Sequence, residues 1–361
     1  MPQPSTPTST PAHSFFDAHL DLAYLTELGR DMHTGLADCR GKLLPAAVTL
    51  PSLRDGRVRG CLGTIFTEAI APGAQPDAPE AAYPVGDTLA AWRAGMRQLK
   101  LYHAWRDAGV IALIDKRGGR TPSNAARTPL LLGILMECAD PIETPDQLDE
   151  WVEGGVVAIG MAWWRGSRYA AGNGAKPNED AGLTDLGREL ATRMDALGLI
   201  HDLSHLSQRA TDDLLAHTDA TVIASHSNCR TLLDGKANPD WQRHLSDDTI
   251  AEIGKRGGMI GLNLVRNFIA TGLDRHNPND RPTIEKTLDH VEHVCSVMEH
   301  RRGIGLGSDM DGGIKATDLP RGIDSPSDLG KLCEGLQSRG WNEEEIRGFA
   351  WENWARFWGI G

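Results

Sequence analysis

The sequence predicts an α/β protein of the (β/α)8 TIM-barrel class, and three observations predict it. Eight short apolar segments alternate with stretches whose apolar residues recur at helical spacing. Side chains able to hold a metal recur at or just past the C-terminal ends of those segments, where the loops of a parallel barrel converge on one mouth. The 361 residues are long for one ordinary domain but suit a barrel with insertions.

The elements follow in order. Residues 1–14 are rich in Pro, Ser and Thr, so they are expected to be a disordered lead that includes His13, ahead of a single domain over 15–361. Phe15 to Leu22 is predicted as the first strand, and it carries His19-Leu20-Asp21. Side chains two apart on a strand share a face, so His19 and Asp21 aim at one point. Leu22 to Leu53 should hold short helices and a long loop, and Val58 to Phe66 the second strand. The Ala- and Pro-rich run Ala71 to Gly86 is expected as an exposed loop. Asp87 caps a predicted helix reaching Ala108, with Leu89, Trp92, Met96, Leu99 and Trp105 at helical spacing. Val110 to Ile114 suggests an accessory strand and Gly118 to Arg127 a turn-rich link.

Leu130 to Met136 is the third strand and ends in Glu137; Val156 to Met161 is the fourth and runs into Trp163-Trp164-Arg165. The Gly-rich stretch Arg165 to Gly182 is expected as a loop over one barrel end, and Asp185 to Leu197 as a helix stopped by Gly198. Four more strands complete the set. Leu199 to Leu203 leads to Ser204-His205, and Thr221 to Ala224 to Ser225-His226-Ser227. Met259 to Leu264 contains Asn263, and Ile304 to Ser308 leads to Asp309. Helical patterns cover Ser207 to His217, Asp247 to Lys255 and Thr283 to His300, and a Trp-rich helix from Asn342 to Trp358 closes the barrel.

Composition narrows the function. Forty per cent hydrophobic residues can build a large core, and a net charge of −12 argues against a nucleic-acid partner or an anionic membrane surface. The six cysteines are scattered with no Cys-x-x-Cys, which reads as reduced thiols rather than a disulfide framework. No stretch is apolar and long enough to span a bilayer, and the N-terminus has no secretory pattern, so a cytoplasmic protein is expected.

His19, Asp21, Glu137, His205, His226 and Asp309 all fall at strand ends, hence at one predicted mouth. Three imidazoles and three carboxylates are costly to bury unpaired. A pair of divalent ions about 3.5–4 Å apart, sharing a carboxylate, resolves that cost, and zinc suits these donors. Asp202 is a candidate support behind His205, His217 is expected at the surface, and His290 and His293 on one helix face as packing residues.

At this point the sequence resembles the membrane (renal) dipeptidase family, the M19 zinc metallopeptidases. The matching stretches are Asp17-Ala18-His19-Leu20-Asp21, Gly182-Leu183-Thr184-Asp185-Leu186-Gly187 and Asp202-Leu203-Ser204-His205-Leu206-Ser207. Ser225-His226-Ser227 and Gly305-Leu306-Gly307-Ser308-Asp309-Met310-Asp311-Gly312 follow in order. The resemblance implies a TIM barrel with two zinc ions, often a homodimer, that hydrolyses dipeptides by metal-activated hydroxide. It also implies roles. His19 and Asp21 would bind the first zinc, Glu137 would bridge both, and His205 and His226 would bind the second. Asp309 would be the catalytic acid and base and a possible ligand, and Arg243 would hold the substrate carboxylate.

Two departures matter. Cys138-Ala139 follow Glu137 where the family has two glycines. The family also has a substrate-contacting histidine after its fourth strand, whereas Gly160 to Arg165 has none. Either the zinc polarises the carbonyl alone, or Arg165, Arg168 or Tyr169 supplies the missing donor; Trp163 and Trp164 are alternatively expected to narrow or flatten the substrate pocket. The second departure leaves open a non-dipeptide amide, lactam or ester as substrate, and more remotely a barrel that only binds.

Overall fold

A computed structural model describes residues 13–71, 73–114, 129–176, 178–274 and 276–360. The eight barrel strands are Phe15–Leu20, Val58–Ile65, Leu130–Met136, Val156–Gly160, Ile200–Asp202, Val222–Ala224, Met259–Leu262 and Ile304–Leu306. Each lies parallel to its neighbours in this order, and the first pairs with the eighth, so the sheet closes into a barrel. A parallel barrel is covered on both faces, which is why these segments read as continuous apolar runs. The first strand is buried throughout, with a register irregularity between Asp17 and Leu20.

Several strands stop earlier than the apolar pattern suggests, because the chain turns over the mouth where the polar residues begin. The eighth ends at Leu306 rather than Ser308, and Asp309 takes φ +60. The seventh ends at Leu262, where the Asn263 side chain accepts from the Val265 amide at 2.7 Å and turns the backbone.

The helices outside the barrel begin where the sequence places capping residues. Asp87, Thr184, Ser207, Ser246 and Thr283 each accept a backbone N–H at the start of their helices. Each cap satisfies one otherwise orphaned donor. Gly198 ends the helix Asp185–Leu197 in the left-handed conformation (φ 64) that favours glycine.

Three expectations need correction or extension. The stretch Ala71 to Gly86 is not simply an exposed loop: Ala82–Pro84 pairs with Glu68–Ile70, and Ala78, Ala81 and Tyr83 are buried. That pairing is non-local and leaves no trace in Ala/Pro composition. Ile111–Leu113 is the accessory strand, lying along Leu130–Leu132 outside the ring, while the link Gly118 to Arg127 lies outside the described residues. The C-terminal segment is not one regular helix. A π-helical stretch, Gly348–Glu352, separates Glu343–Arg347 from Asn353–Phe357. The widened turn brings Asn353 onto the carbonyls of Arg301 and Ile304, both at 2.9 Å, and Trp354 onto that of Leu306 at 3.1 Å. Trp354 also stacks on Phe16, so this segment covers the barrel end opposite the mouth.

Candidate metal centre

His19 leaves the end of the first strand, and Asp21 sits at the start of the short helix Leu22–Glu27. Glu137 follows the third strand, His205 and His226 the fifth and sixth, and Asp309 the eighth. The fold brings all six together. Their ligand atoms form three overlapping groups: His19, Asp21 and Glu137; Glu137, His205 and His226; and His19, His226 and Asp309.

Glu137 divides its two oxygens between the first two groups. Its Oε2 lies 3.5 Å from His19 Nε2, while Oε1 lies 3.2 Å from His205 Nε2 and 3.8 Å from His226 Nε2. The Nε2 atom of His19 is also 3.7 Å from Asp21 and 4.0 Å from Asp309. His205 has φ +68, unusual for a side chain of this size. Such backbone strain concentrates at functional sites.

The donor atoms fit two cations. Both ring nitrogens of His19 and Oε2 of Glu137 are buried without a hydrogen-bond partner among the described residues. His205 gives its Nδ1 proton to Asn173 Oδ1 at 3.0 Å. Ser225 Oγ donates to Asp202 at 2.5 Å, so it accepts the Nδ1 proton of His226 at 2.8 Å. Both tautomers therefore leave Nε2 as a lone pair, and these two lone pairs face each other at 2.9 Å. No proton joins them, and a cation between them removes the repulsion. Nitrogen and carboxylate oxygen donors in this number match zinc.

The electrostatics agree. Burial pushes His205 down to about 4 and His226 well below its usual value, with Arg243 adding to both. Burial pushes Asp21 up to about 7 and Asp309 up to about 6, and Glu137 adds to both shifts. Burial works against charge on His19, yet Glu137, then Asp21 and Asp309, hold its imidazolium up to about 10. Without a metal, a proton on His19 balances the crowded carboxylates. A divalent cation replaces that proton.

The sequence alone did not single out several supports. Thr64 donates to Asp21, and Asn263 Nδ2 donates to Asp309 at 3.0 Å. Asp17, two residues before His19, accepts the Ser308 hydroxyl at 2.5 Å and fixes the residue before Asp309. Asp202, the support that the sequence does single out, accepts the Ser204 amide next to His205 and also holds Ser225, beside His226. Only the Asp-x-His spacing hinted at Asp17; the partners of the rest are remote in sequence.

A cavity of about 490 Å³ opens over the cluster and is lined by Arg243, Trp163 and Trp164, among others. Arg243 is buried, donating to Ser227 Oγ at 3.0 Å and the His226 carbonyl at 2.8 Å, with its Nε unpaired among the described residues. Trp163 lies 6.2 Å from the His205 ring, and Trp164 is exposed at the rim. Arg165, Arg168 and Tyr169 do not fill the expected donor position. Arg168 donates to the Glu143 carbonyl and Tyr169 to that of Ile142, while Arg165 lies over Trp164. Arg168 and Tyr169 are thus held by the loop after the third strand, and Arg165 by its neighbour Trp164.

Other expectations concern ordinary residues. His217 is exposed, His290 packs between the Cys229 amide and the Ile269 carbonyl, and His293 meets Asp247. His13 is among the described residues and lies 3.7 Å from Glu343. All six cysteines are free and buried. No described helix is long and apolar enough to cross a membrane.

Comparisons with known proteins give the family of the chain. Residues 10–360 match the family described as membrane dipeptidase, peptidase family M19. An uncharacterized dipeptidase of Schizosaccharomyces pombe is 34% identical over 185 residues, half of this chain and 40% of that protein. The chain thus spans less than half the length of that relative. The solved structure of dipeptidase AC, an M19 metallopeptidase, superposes with a TM-score of 0.75 at 25% identity, covering 96% of this chain and 99% of that one. A Rhodobacter sphaeroides metallopeptidase, solved with a phosphinate mimic of the dipeptide L-Ala-D-Ala, superposes with a TM-score of 0.75 at 24% identity, covering 96% and 98%.

Proposed function

The chain belongs to the membrane dipeptidase family, peptidase family M19, and from that premise we propose that it is a binuclear zinc dipeptidase that hydrolyses the peptide bond of dipeptides. The observation that carries the proposal is the sharing of Glu137, one oxygen toward His19 and the other toward His205 and His226. Two zinc ions bound there supply positive charge that polarises the amide carbonyl and makes water more acidic.

The protein's own groups do the rest. Asn263 holds Asp309 Oδ2, leaving Oδ1 on the side of His19. From there Asp309 takes a proton from the attacking water and returns it to the leaving amine. Its burial, with a lesser contribution from Glu137, raises its affinity for a proton and suits both halves of that task. The guanidinium of Arg243 holds the terminal carboxylate of the substrate. Glu137, Asp21 and the three histidines keep the charge of the centre fixed, so little reorganisation accompanies attack. Family membership also supports a homodimer, which analytical ultracentrifugation tests.

The test is hydrolysis of L-L and L-D dipeptides by zinc-loaded protein, with Asp309→Asn as control. Turnover that disappears in the control is expected. A second reading, hydrolysis of another amide, a lactam or an ester, is favoured by the aromatic cavity wall at Trp163. Activity on those substrates without activity on dipeptides would replace the first reading.

A further inference from the structure

The cavity has two chemically distinct sides, and the barrel order places them across from each other. Arg243 follows the sixth strand, with its guanidinium 5.0 Å from the Phe268 ring. In a closed ring of eight, the second strand lies opposite the sixth. Phe66, directly after the second strand, sits at the centre of an aromatic arc. It meets Tyr24 edge to face at 5.0 Å on one side and Trp163 at 5.0 Å on the other. Glu68 and Asp77, from the same segment of chain as Phe66, stand beside Tyr24 at the cavity rim. A substrate whose carboxylate rests on Arg243 therefore directs its other end to the arc.

Two further observations point to an occupant. The Tyr24 residue is only 7% exposed and lines the cavity, yet its hydroxyl has no hydrogen-bond partner among the described residues. The basic neighbours of the rim carboxylates, Lys42 and Arg165, are themselves exposed, so an incoming cation can compete with them. Lys42 reaches Asp77 at 2.9 Å from an exposed position, and Arg165 is spread over Trp164. Even with Arg165 near, burial and Asp77 keep the affinity of Glu68 for a proton above the ordinary carboxylate value.

Resting on the dipeptidase reading, we propose that Tyr24, Phe66 and Trp163, with Glu68 and Asp77 above them, form a subsite for a long cationic side chain on the N-terminal residue of the substrate. The methylene stem of a lysine or arginine lies on the rings, and its charged end reaches the Tyr24 hydroxyl and the two carboxylates. An acidic side chain meets repulsion at the same place.

The test compares Arg-Ala, Phe-Ala, Ala-Ala and Glu-Ala with zinc-loaded protein. Arg-Ala should exceed Ala-Ala by about tenfold in kcat/KM, and Glu-Ala by more, from one partly screened ion pair and one cation–π contact. Glu68→Gln should collapse the Arg-Ala to Ala-Ala ratio mainly through KM, and Glu68→Asp should restore part of it. Equal rates for Arg-Ala and Glu-Ala, or a ratio untouched by Glu68→Gln and Asp77→Asn together, would overturn the subsite while leaving the dipeptidase reading intact. If no dipeptide is turned over, calorimetric binding of the same four decides. Tighter binding of Arg-Ala that is lost in Glu68→Gln supports the subsite alone; equal or absent binding overturns it.

Discussion

Asp202→Asn should weaken metal binding without unfolding the protein. Asp202 is buried and accepts the amides of Ser204 at 3.0 Å and Ser225 at 2.9 Å through Oδ1, and the Ser225 hydroxyl at 2.5 Å through Oδ2. An asparagine keeps the carbonyl acceptor for both amides, but presents an N–H₂ group to Ser225. The serine oxygen then accepts from Asn and turns its own proton toward His226 Nδ1. That reverses the present bond, in which His226 Nδ1 donates to Ser225 at 2.8 Å. The imidazole proton moves to Nε2, the atom that faces Glu137 and His205. A protonated Nε2 cannot ligate a metal. Loss of such outer partners of a metal-bound histidine costs about 10–100-fold in affinity, or about 1.4–2.7 kcal/mol. Competition with a chelator, read by zinc content after dialysis, measures the effect, with the thermal midpoint of the zinc-free protein as the folding control. Unchanged affinity in a folded Asp202→Asn protein would refute the tautomer chain. Asp202→Ala is a separate case, because it strands three buried donors at about 1–3 kcal/mol each and should lower stability outright.

Other expectations follow from the same geometry. Asp309→Asn should retain two zinc ions, since His19 and Asp21 remain, and lose turnover by about 10²–10⁴-fold; metal analysis beside a rate assay checks both halves. Stripping the metals should lower the thermal midpoint, because three buried carboxylates then rely on the proton of His19; re-addition of zinc should restore it in a concentration-dependent way. His290 should make the protein less stable in acid. Only its neutral form accepts from the Cys229 amide at 3.1 Å, and burial holds it down to about 4. The unfolded state takes up this proton first, near pH 6.5. Stability is therefore full above that pH and is lost as pH falls toward 4, by about 1.4 kcal/mol per pH unit. Urea titrations at pH 7 and 5 should show this loss shrinking in His290→Gln.

Much of this architecture is legible along the chain because its causes are local. An apolar run of strand length, a cap such as Asp87 and a stop such as Gly198 each act on adjacent residues. The ligand set is legible for a related reason: a parallel barrel collects its strand ends at one mouth, so position along the chain translates into position in space. His19, Asp21, Glu137, His205, His226 and Asp309 could be assembled from that rule and chemistry alone.

What only the tertiary structure decides are directions and remote partners. Arg165, Arg168 and Tyr169 stand at the right place in sequence, but contacts with Trp164, the Glu143 carbonyl and the Ile142 carbonyl turn them elsewhere. The pairing of Glu68–Ile70 with Ala82–Pro84 depends on chain closure that composition does not encode. Which nitrogen of His226 is free depends on Asp202, across a strand boundary. The sequence by itself determined the barrel and the chemical identity of the donors, because periodicity and strand ends are one-dimensional properties. The tertiary structure decided the tautomers, which Glu137 oxygen faces which histidines and the wall facing Arg243, because each is set by contacts between loops that meet only when the barrel closes.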